Sequence, residues 1–282
     1  MRGSRPPLCP EEGRTCLTGR KTESEKGRER PARMLPRGEM KITIINGQNH
    51  KGSTWNIGSL LVRKLDGDKE IAEYFLPRDL NHFCQGCYAC LEGRERCPYW
   101  QEKAPILRDM LEADLLIFTS PNYCMMPSAP MKAFLDLFFT NWMSHRPLRE
   151  MFSQRAVVIT TAAGAGAKKA AGLIAENLTN WGIPRVIQYG ATVNAMNWNM
   201  VPPKKKRKIE KDMERLARKL PNGRGVHVGV RTRILFWFYG NMQKAGWGAS
   251  RAEKQYWIEN GWFSGGRPWK KPDEKRRTSC GC

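Results

Sequence analysis

Residues 40–56, MKITIINGQNHKGSTWN, constrain this chain more than any other stretch. Positions 41–45 are short, β-branched and apolar, the pattern of a strand buried on both faces of a parallel sheet. Gly47 ends that run, and an apolar helical pattern at Ile57, Leu60, Leu61 and Leu65 follows directly after the turn. Between them, residues 47–54 offer two glycines, two hydroxyls and two side-chain amides. A strand, a glycine-bounded turn and a helix start bring unpaired backbone N–H groups and the positive end of a helix dipole to one point, which suits a phosphate.

The kind of phosphate is narrowed by one position. Gly47-x-x-x-x-Gly52-Ser53-Thr54 has the spacing of a nucleoside-triphosphate loop, with Ser53 where the lysine should stand. A triphosphate needs that cation near its β and γ groups, whereas a monophosphate dianion can be held by N–H groups and hydroxyls alone. The G-x-G-x-x-G dinucleotide fingerprint is also missing. An ordinary strand-to-helix turn is the competing reading, and other loops have to join this one before a ligand site is implied.

The rest of the chain supplies those loops. Strand patterns at 70–76, 115–119, 156–160 and 185–189 alternate with helical patterns at 101–113, from about 129 to 141, and from 167 to 181. Five strands alternating with helices predict an α/β fold with a doubly wound parallel sheet, in which ligands sit outside the carboxyl ends of the strands. Loops 47–54, 120–128 and 160–166 all follow strands, so they should meet at one edge. One suits a phosphate, and the other two, without charge, suit something flat and apolar. FMN satisfies both demands.

The ordered set Asn46-Gly-Gln-Asn-His-Lys-Gly-Ser-Thr54, Cys84-x-Gly-Cys87-x-x-Cys90, Thr119-Ser-Pro-Asn-Tyr123 and Lys132-Ala-Phe-Leu-Asp136 resembles the flavodoxin-like NADPH-dependent FMN reductase family over residues 40–189. The resemblance implies a flavodoxin-like sheet, FMN as cofactor, NADPH or NADH as co-substrate and hydride transfer to the flavin. The electrons would then pass to a small-molecule or protein acceptor, in a homo-oligomer. It places Ser53 and Thr54 on the FMN phosphate, with Gln48 where the family often has serine. Pro121, Asn122, Tyr123, Cys124 and Met125 would border the flavin ring, with Thr161, Ala162, Ala163 and Gly164 closing its other side. No Ser/His/Asp set is suggested, since His50, His82, His145 and His227 are scattered. Residues 256–262 and 267–269 are also similar to extensions of some bacterial members.

Cys84, Cys87, Cys90 and Cys97 have a spacing similar to that of the iron-sulfur flavoproteins, which implies a possible 4Fe–4S cluster and an electron-carrier role. Small thiols packed without a metal, and a zinc site, are the other readings. Nine cysteines, odd in number and with four crowded together, argue for a reducing compartment, and a cytoplasmic location is expected.

The net charge of +21 suggests nucleic acid until it is divided by region. Residues 1–39 hold 10 Lys+Arg and 6 Asp+Glu, residues 40–201 hold 17 and 14, and residues 202–282 hold 21 and 7. The prospective catalytic region, 40–201, is thus nearly neutral, within a flavodoxin-like domain read as 40–221. The basic run 203–208 leads into Ile209, Met213, Leu216 and Leu220 at helical spacing, a solvated helix face more than a nucleic-acid site. A basic nucleic-acid interaction protein stays as a second alternative. Residues 1–39 read as a disordered extension or the product of an upstream start codon, and 222–282 as an aromatic, basic extension packing on the domain or on a second subunit. No apolar run approaches the roughly 18 residues of a membrane span, and no membrane partner is expected.

Overall fold

The computed structural model describes residues 39–220, 226–247 and 250–270. In chain order they form β1 (Met40–Asn46), α1 (Ser53–Lys64), β2 (Lys69–Phe75), the short α2 (Ala89–Glu92), α3 (Trp100–Glu112), β3 (Leu115–Tyr123) and β4 (Met126–Pro127). After these come α4 (Ala129–Leu137), β5 (Arg155–Ala162), α5 (Ala167–Asn180), β6 (Arg185–Thr192), α6 (Pro203–Ala217), α7 (Val230–Ala245) and α8 (Arg251–Glu259). Five strands pair in parallel in the order β2-β1-β3-β5-β6, and β4 pairs antiparallel with the end of β3.

Alternation along the central strands decides what covers each face. Ile45, Leu116, Phe118, Ala156 and Val158 point to one side, where they meet Ile106 and Met110 of α3, Phe134 of α4 and Ile174 of α5. Ile42, Ile44, Leu115, Ile117, Val157 and Ile159 point to the other, against Ile57 and Leu61 of α1 and Ile209 and Met213 of α6. Apolar side chains on both faces demand helices on both, which is why the sheet is doubly wound.

Two strands run farther than their sequence suggests. Pairing between β1 and β3 stops at Asn46 opposite Thr119, whereas pairing between β3 and β5 continues to Pro121 opposite Thr161. Past Thr119, β3 is therefore paired in parallel on one side only, and a proline there removes no ladder bond on the open side. The expected loop 120–128 is instead a strand end followed by a two-residue turn, with Cys124 (φ 51°) and Met125 (φ 64°) left-handed, and a return along Met126–Pro127. Without glycine, that backbone costs on the order of 1 kcal/mol per residue.

The extension packs on the domain. Phe236, Trp257 and Trp262 form a third buried cluster with Met143 and Phe152. Trp257 Nε1 donates to His145 O at 2.7 Å, and Tyr256 Oη donates to Pro147 O at 2.6 Å. Helix α6 begins at Pro203 as expected, and Lys208–Asp212 and Arg218–Glu214 pair along its solvent face at 3.0 and 2.6 Å. The expected disorder of 1–39 falls, except for Glu39, outside the described residues.

Candidate functional site

Three strands that lie side by side, β1, β3 and β5, end at one edge, and the loops that leave them are joined by specific hydrogen bonds. Gly47 N donates to Thr119 O at 2.6 Å, and Ser128 Oγ donates to Gly47 O at 2.5 Å. Asn122 Nδ2 donates to Ala165 O at 2.9 Å. The first pair of bonds ties the β1 loop to the β3 hairpin, and the last ties the hairpin to the β5 loop. A fourth loop joins them, because Asn194 N, after β6, donates to Ala163 O at 3.1 Å.

The β1 loop presents an uncapped helix start. Helix α1 has Gly52 as its N-cap with no side-chain cap bond and no acidic residue in its first turn. Its first intrahelical bond runs from Asn56 N to Gly52 O at 3.0 Å, so the N–H groups of Ser53, Thr54 and Trp55 lie ahead of the ladder. Thr54 is buried and accepts from Gln48 Nε2 at 3.2 Å, which leaves its hydroxyl proton free to be donated elsewhere. Gln48 is itself buried, its amide also donating to His50 O at 3.2 Å. A Cβ on Gly52 would lie 2.6 Å from Gln48 Nε2, so a side chain there would push the Gln48 amide from its place behind Thr54.

The hairpin and the β5 loop face each other across Asn122. Its Oδ1 is buried without a hydrogen-bond partner, an acceptor waiting for a donor. Pro121, Thr161 and Ala162 are buried, while Ala163 and Gly164 are exposed and a Cβ on Gly164 would meet nothing within 4 Å. Tyr123 and Met125 are 57 and 45 % exposed, and Cys124 is exposed between them. Met125 reaches back over Gly166, whose φ of +89° and close neighbours leave no room for a side chain. The structure therefore gathers Ser53, Thr54, Pro121, Asn122 and residues 161–164 at one edge, with Gln48 behind Thr54.

Sequence reasoning missed Ser128 and Asn194. Ser128 carried a signal, since serine before Ala129-Pro130 is an N-cap pattern and its Oγ accepts from Met131 N at 3.4 Å. Asn194 would have followed from applying the rule about strand ends to β6 as well.

The four-cysteine loop does not form a metal centre. Among the described residues no group of three or more His, Cys, Asp or Glu is placed to hold a metal ion. Cys84, Cys87, Cys90 and Cys97 line one cleft with room for about 20 Å³, space for roughly one water. Cys97 Sγ accepts from the buried Lys103 Nζ at 3.5 Å, and burial pushes the Cys90 thiol up from its ordinary value, toward the protonated form. Of the readings that the spacing left open, free thiols fit the described residues, and neither the 4Fe–4S cluster nor a zinc site gains support among them.

No curated protein matches the chain. Among solved structures it is similar to an FMN-dependent NADH-azoreductase from Bacillus anthracis str. Ames Ancestor in complex with FMN, at 14% identity and a TM-score of 0.47, over 63% of this chain and 99% of that one. It is similar also to Smu.1420 from Streptococcus mutans UA159, at 15% identity and TM-score 0.46, over 64% and 100% of the two chains. A third is FerB, an NAD(P)H:(acceptor) oxidoreductase from Paracoccus denitrificans, at 14% and 0.45, over 64% and 96%. Residues 40–196, more than half of the chain and all of the strands β1 to β6, match the model of the NADPH-dependent FMN reductases. The chain belongs to the NADPH-dependent FMN reductase family.

Proposed function

We propose that the edge formed by the β1, β3 and β5 loops holds FMN and that the protein uses it to oxidise NADPH or NADH. The observation that carries this reading is the pair of cross-loop ties, Ser128 to Gly47 and Asn122 to Ala165, which hold a phosphate-ready helix start beside two loops, 120–128 and 160–166, that contain no charged residue. The residues fit the cofactor. The N–H groups of Ser53, Thr54 and Trp55, with the Ser53 and Thr54 hydroxyls, offer only donors and the positive helix end to the phosphate. Gln48 orients the Thr54 hydroxyl from behind. Pro121, Asn122, Tyr123, Cys124 and Met125 border the ring on one side, and Thr161, Ala162, Ala163 and Gly164 border it on the other. The orphaned Asn122 Oδ1 matches a ring N–H donor.

When bound, FMN supplies a ring that takes hydride from a nicotinamide and yields the electrons to a second substrate. The protein's own part is to bind, orient and screen. Exposed Tyr123 and Met125 give the cleft an apolar rim on which a flat nicotinamide or acceptor stacks in turn, so the two substrates alternate. Cys124 packs at the turn. The acceptor is a small molecule or a protein, and the setting we propose is the cytoplasm, with copies of the chain forming a homo-oligomer.

Reconstitution followed by stopped-flow reduction tests this. The apoprotein mixed with FMN turns yellow, and anaerobic NADPH or NADH then bleaches it within seconds. A protein that stays colourless after mixing overturns the cofactor assignment. One that binds FMN but stays oxidised for minutes is a carrier fed by another protein, and overturns the nicotinamide step alone.

A further inference from the structure

Helix α7 buries one stripe and exposes another. Thr232, Phe236 and Gln243 are buried, with Phe236 stacked on Trp257 at 5.0 Å between ring centroids and Gln243 Nε2 donating to Ser144 O at 2.6 Å. On the far side, Val230, Ile234 and Trp237 lie one turn apart and are 71, 57 and 66 % exposed, and Phe238 beside them is 48 % exposed. At 100° per residue the exposed stripe is nearly opposite the buried one, so the domain core cannot cover it. Trp247, just past the Gly246 C-cap, is 69 % exposed. An apolar ridge of this size on a helix already anchored by its other face needs a partner.

The charge around the ridge says which partner. Helix α7 contains Arg231, Arg233 and Lys244 and no acidic residue, and helical spacing puts Arg231 on one flank of the stripe and Arg233 and Lys244 on the other. Over residues 226–270 there are 7 Lys+Arg and 2 Asp+Glu. One of the two acids, Glu253, is 0 % exposed and pairs with His145 Nδ1 at 2.8 Å, so it does not offset the surface charge.

We propose that this face binds an anionic lipid bilayer, with α7 lying in the interface plane. Ile234, Trp237 and Phe238 enter the headgroup and acyl boundary, and the flanking cations stay at the anionic headgroups, their stems along the apolar stripe. A second copy of the chain fits less well, because an isologous contact would set these cations against each other. Single-stranded nucleic acid fits less well too, since it stacks on aromatic platforms in a groove, and the centre of this convex ridge is held by Val230 and Ile234, which have no π-face. Association is peripheral, because no helix of the described residues is long and apolar enough to cross a membrane.

The test is cosedimentation of the full chain with vesicles of phosphatidylcholine alone and of phosphatidylcholine with phosphatidylserine, at low and high salt. The expected result is binding to the phosphatidylserine vesicles at low salt, a blue shift of tryptophan fluorescence, and release at high salt. The exposed double variant Ile234→Gln/Trp237→Gln should weaken binding about tenfold or more, from the apolar area lost. Arg231→Gln/Arg233→Gln should do the same for the anionic vesicles. Unchanged circular dichroism and FMN uptake in both variants separate this loss from misfolding. Three results overturn the proposal: no binding to anionic vesicles at low salt, a dimer dispersed by the Ile234/Trp237 variant, or an oligonucleotide complex abolished by it.

Discussion

Ser128→Ala removes one buried hydroxyl and tests how far the cofactor cleft depends on ties between loops. Ser128 Oγ donates to Gly47 O at 2.5 Å, lies 3.2 Å from Ser120 Oγ, and caps α4 through Met131 N at 3.4 Å. Alanine leaves Gly47 O buried without that donor, at a cost of about 1–3 kcal/mol. Loss of the cap adds about 1 kcal/mol at most, since the bond to Met131 is already long. Ser120 keeps an acceptor in Pro121 O at 2.9 Å and adds nothing. Destabilisation of about 1–4 kcal/mol follows, read from urea unfolding of the apoprotein by tryptophan fluorescence. The β1 loop, now held to β3 only by Gly47 N to Thr119 O, must be re-ordered each time FMN binds. Its dissociation constant, from quenching of FMN fluorescence, should rise about tenfold, or about 1.4 kcal/mol. Ser128→Thr retains a hydroxyl at the same place and should recover most of the affinity. An alanine variant within about 0.5 kcal/mol of the parent in stability, with the same FMN affinity, would refute the idea that these ties shape the cleft.

Thr54→Val keeps the shape of a buried residue but removes the hydroxyl beside the α1 N-terminus, and FMN affinity should fall about tenfold; titration showing no change would move the phosphate elsewhere. Trp257→Ala empties the centre of the extension's cluster, where Phe236, Trp262 and Phe263 stand 5.0, 5.1 and 5.8 Å away, and should cost about 3–5 kcal/mol. Its check is the thermal midpoint, and an unshifted one would mean that the extension does not share the domain's unfolding. Burial, the leading cause in each case, raises the phenols of Tyr74, Tyr189, Tyr239 and Tyr256 above the ordinary 10.0. Folded, they keep protons that the unfolded chain gives up, so stability is intact below that value and falls as pH rises through it. A urea midpoint that stays flat from neutral pH into this alkaline range would contradict the assignment.

The sheet was legible because its central strands are short, near-continuous apolar runs bounded by turn residues. Ile42, Ile44, Ile45 and the runs 115–118 and 156–159 are apolar on both faces, a pattern that only a covered parallel strand satisfies. The β1 loop, proposed to hold the phosphate, stands out for a similarly local reason, glycine and hydroxyls between a strand and a helix. What could not be read was any property set by a neighbour in space. Residues 120–123 look like a loop because Pro121 and Asn122 are turn formers, and only the register with β5 makes them a strand. Ser128 and Asn194 matter through bonds to Gly47 and Ala163, far away in sequence. The length of apolar runs addresses only a helix that crosses a membrane, and says nothing of a helix lying on a surface.

The two segments that the sequence left unexplained, the four-cysteine loop and the aromatic extension, explain each other. After α2 the chain carries Arg94, whose guanidinium donates to Arg146 O and stands 5.7 Å from the centre of the Tyr256 ring. Arg146 stands 5.1 Å from the same ring and reaches Leu91 O at 3.4 Å. Tyr256, from α8, is thus clasped by two cations, one from the cysteine loop and one from the segment after α4. Leu91 and Arg94 are thus held by Arg146, and both cations rest against Tyr256 of the extension, so the segment between Cys90 and Cys97 is supported from its outer side. The extension therefore acts on the domain as a brace for the segment between β2 and α3, and leaves its own outward helix face, on α7, for a partner.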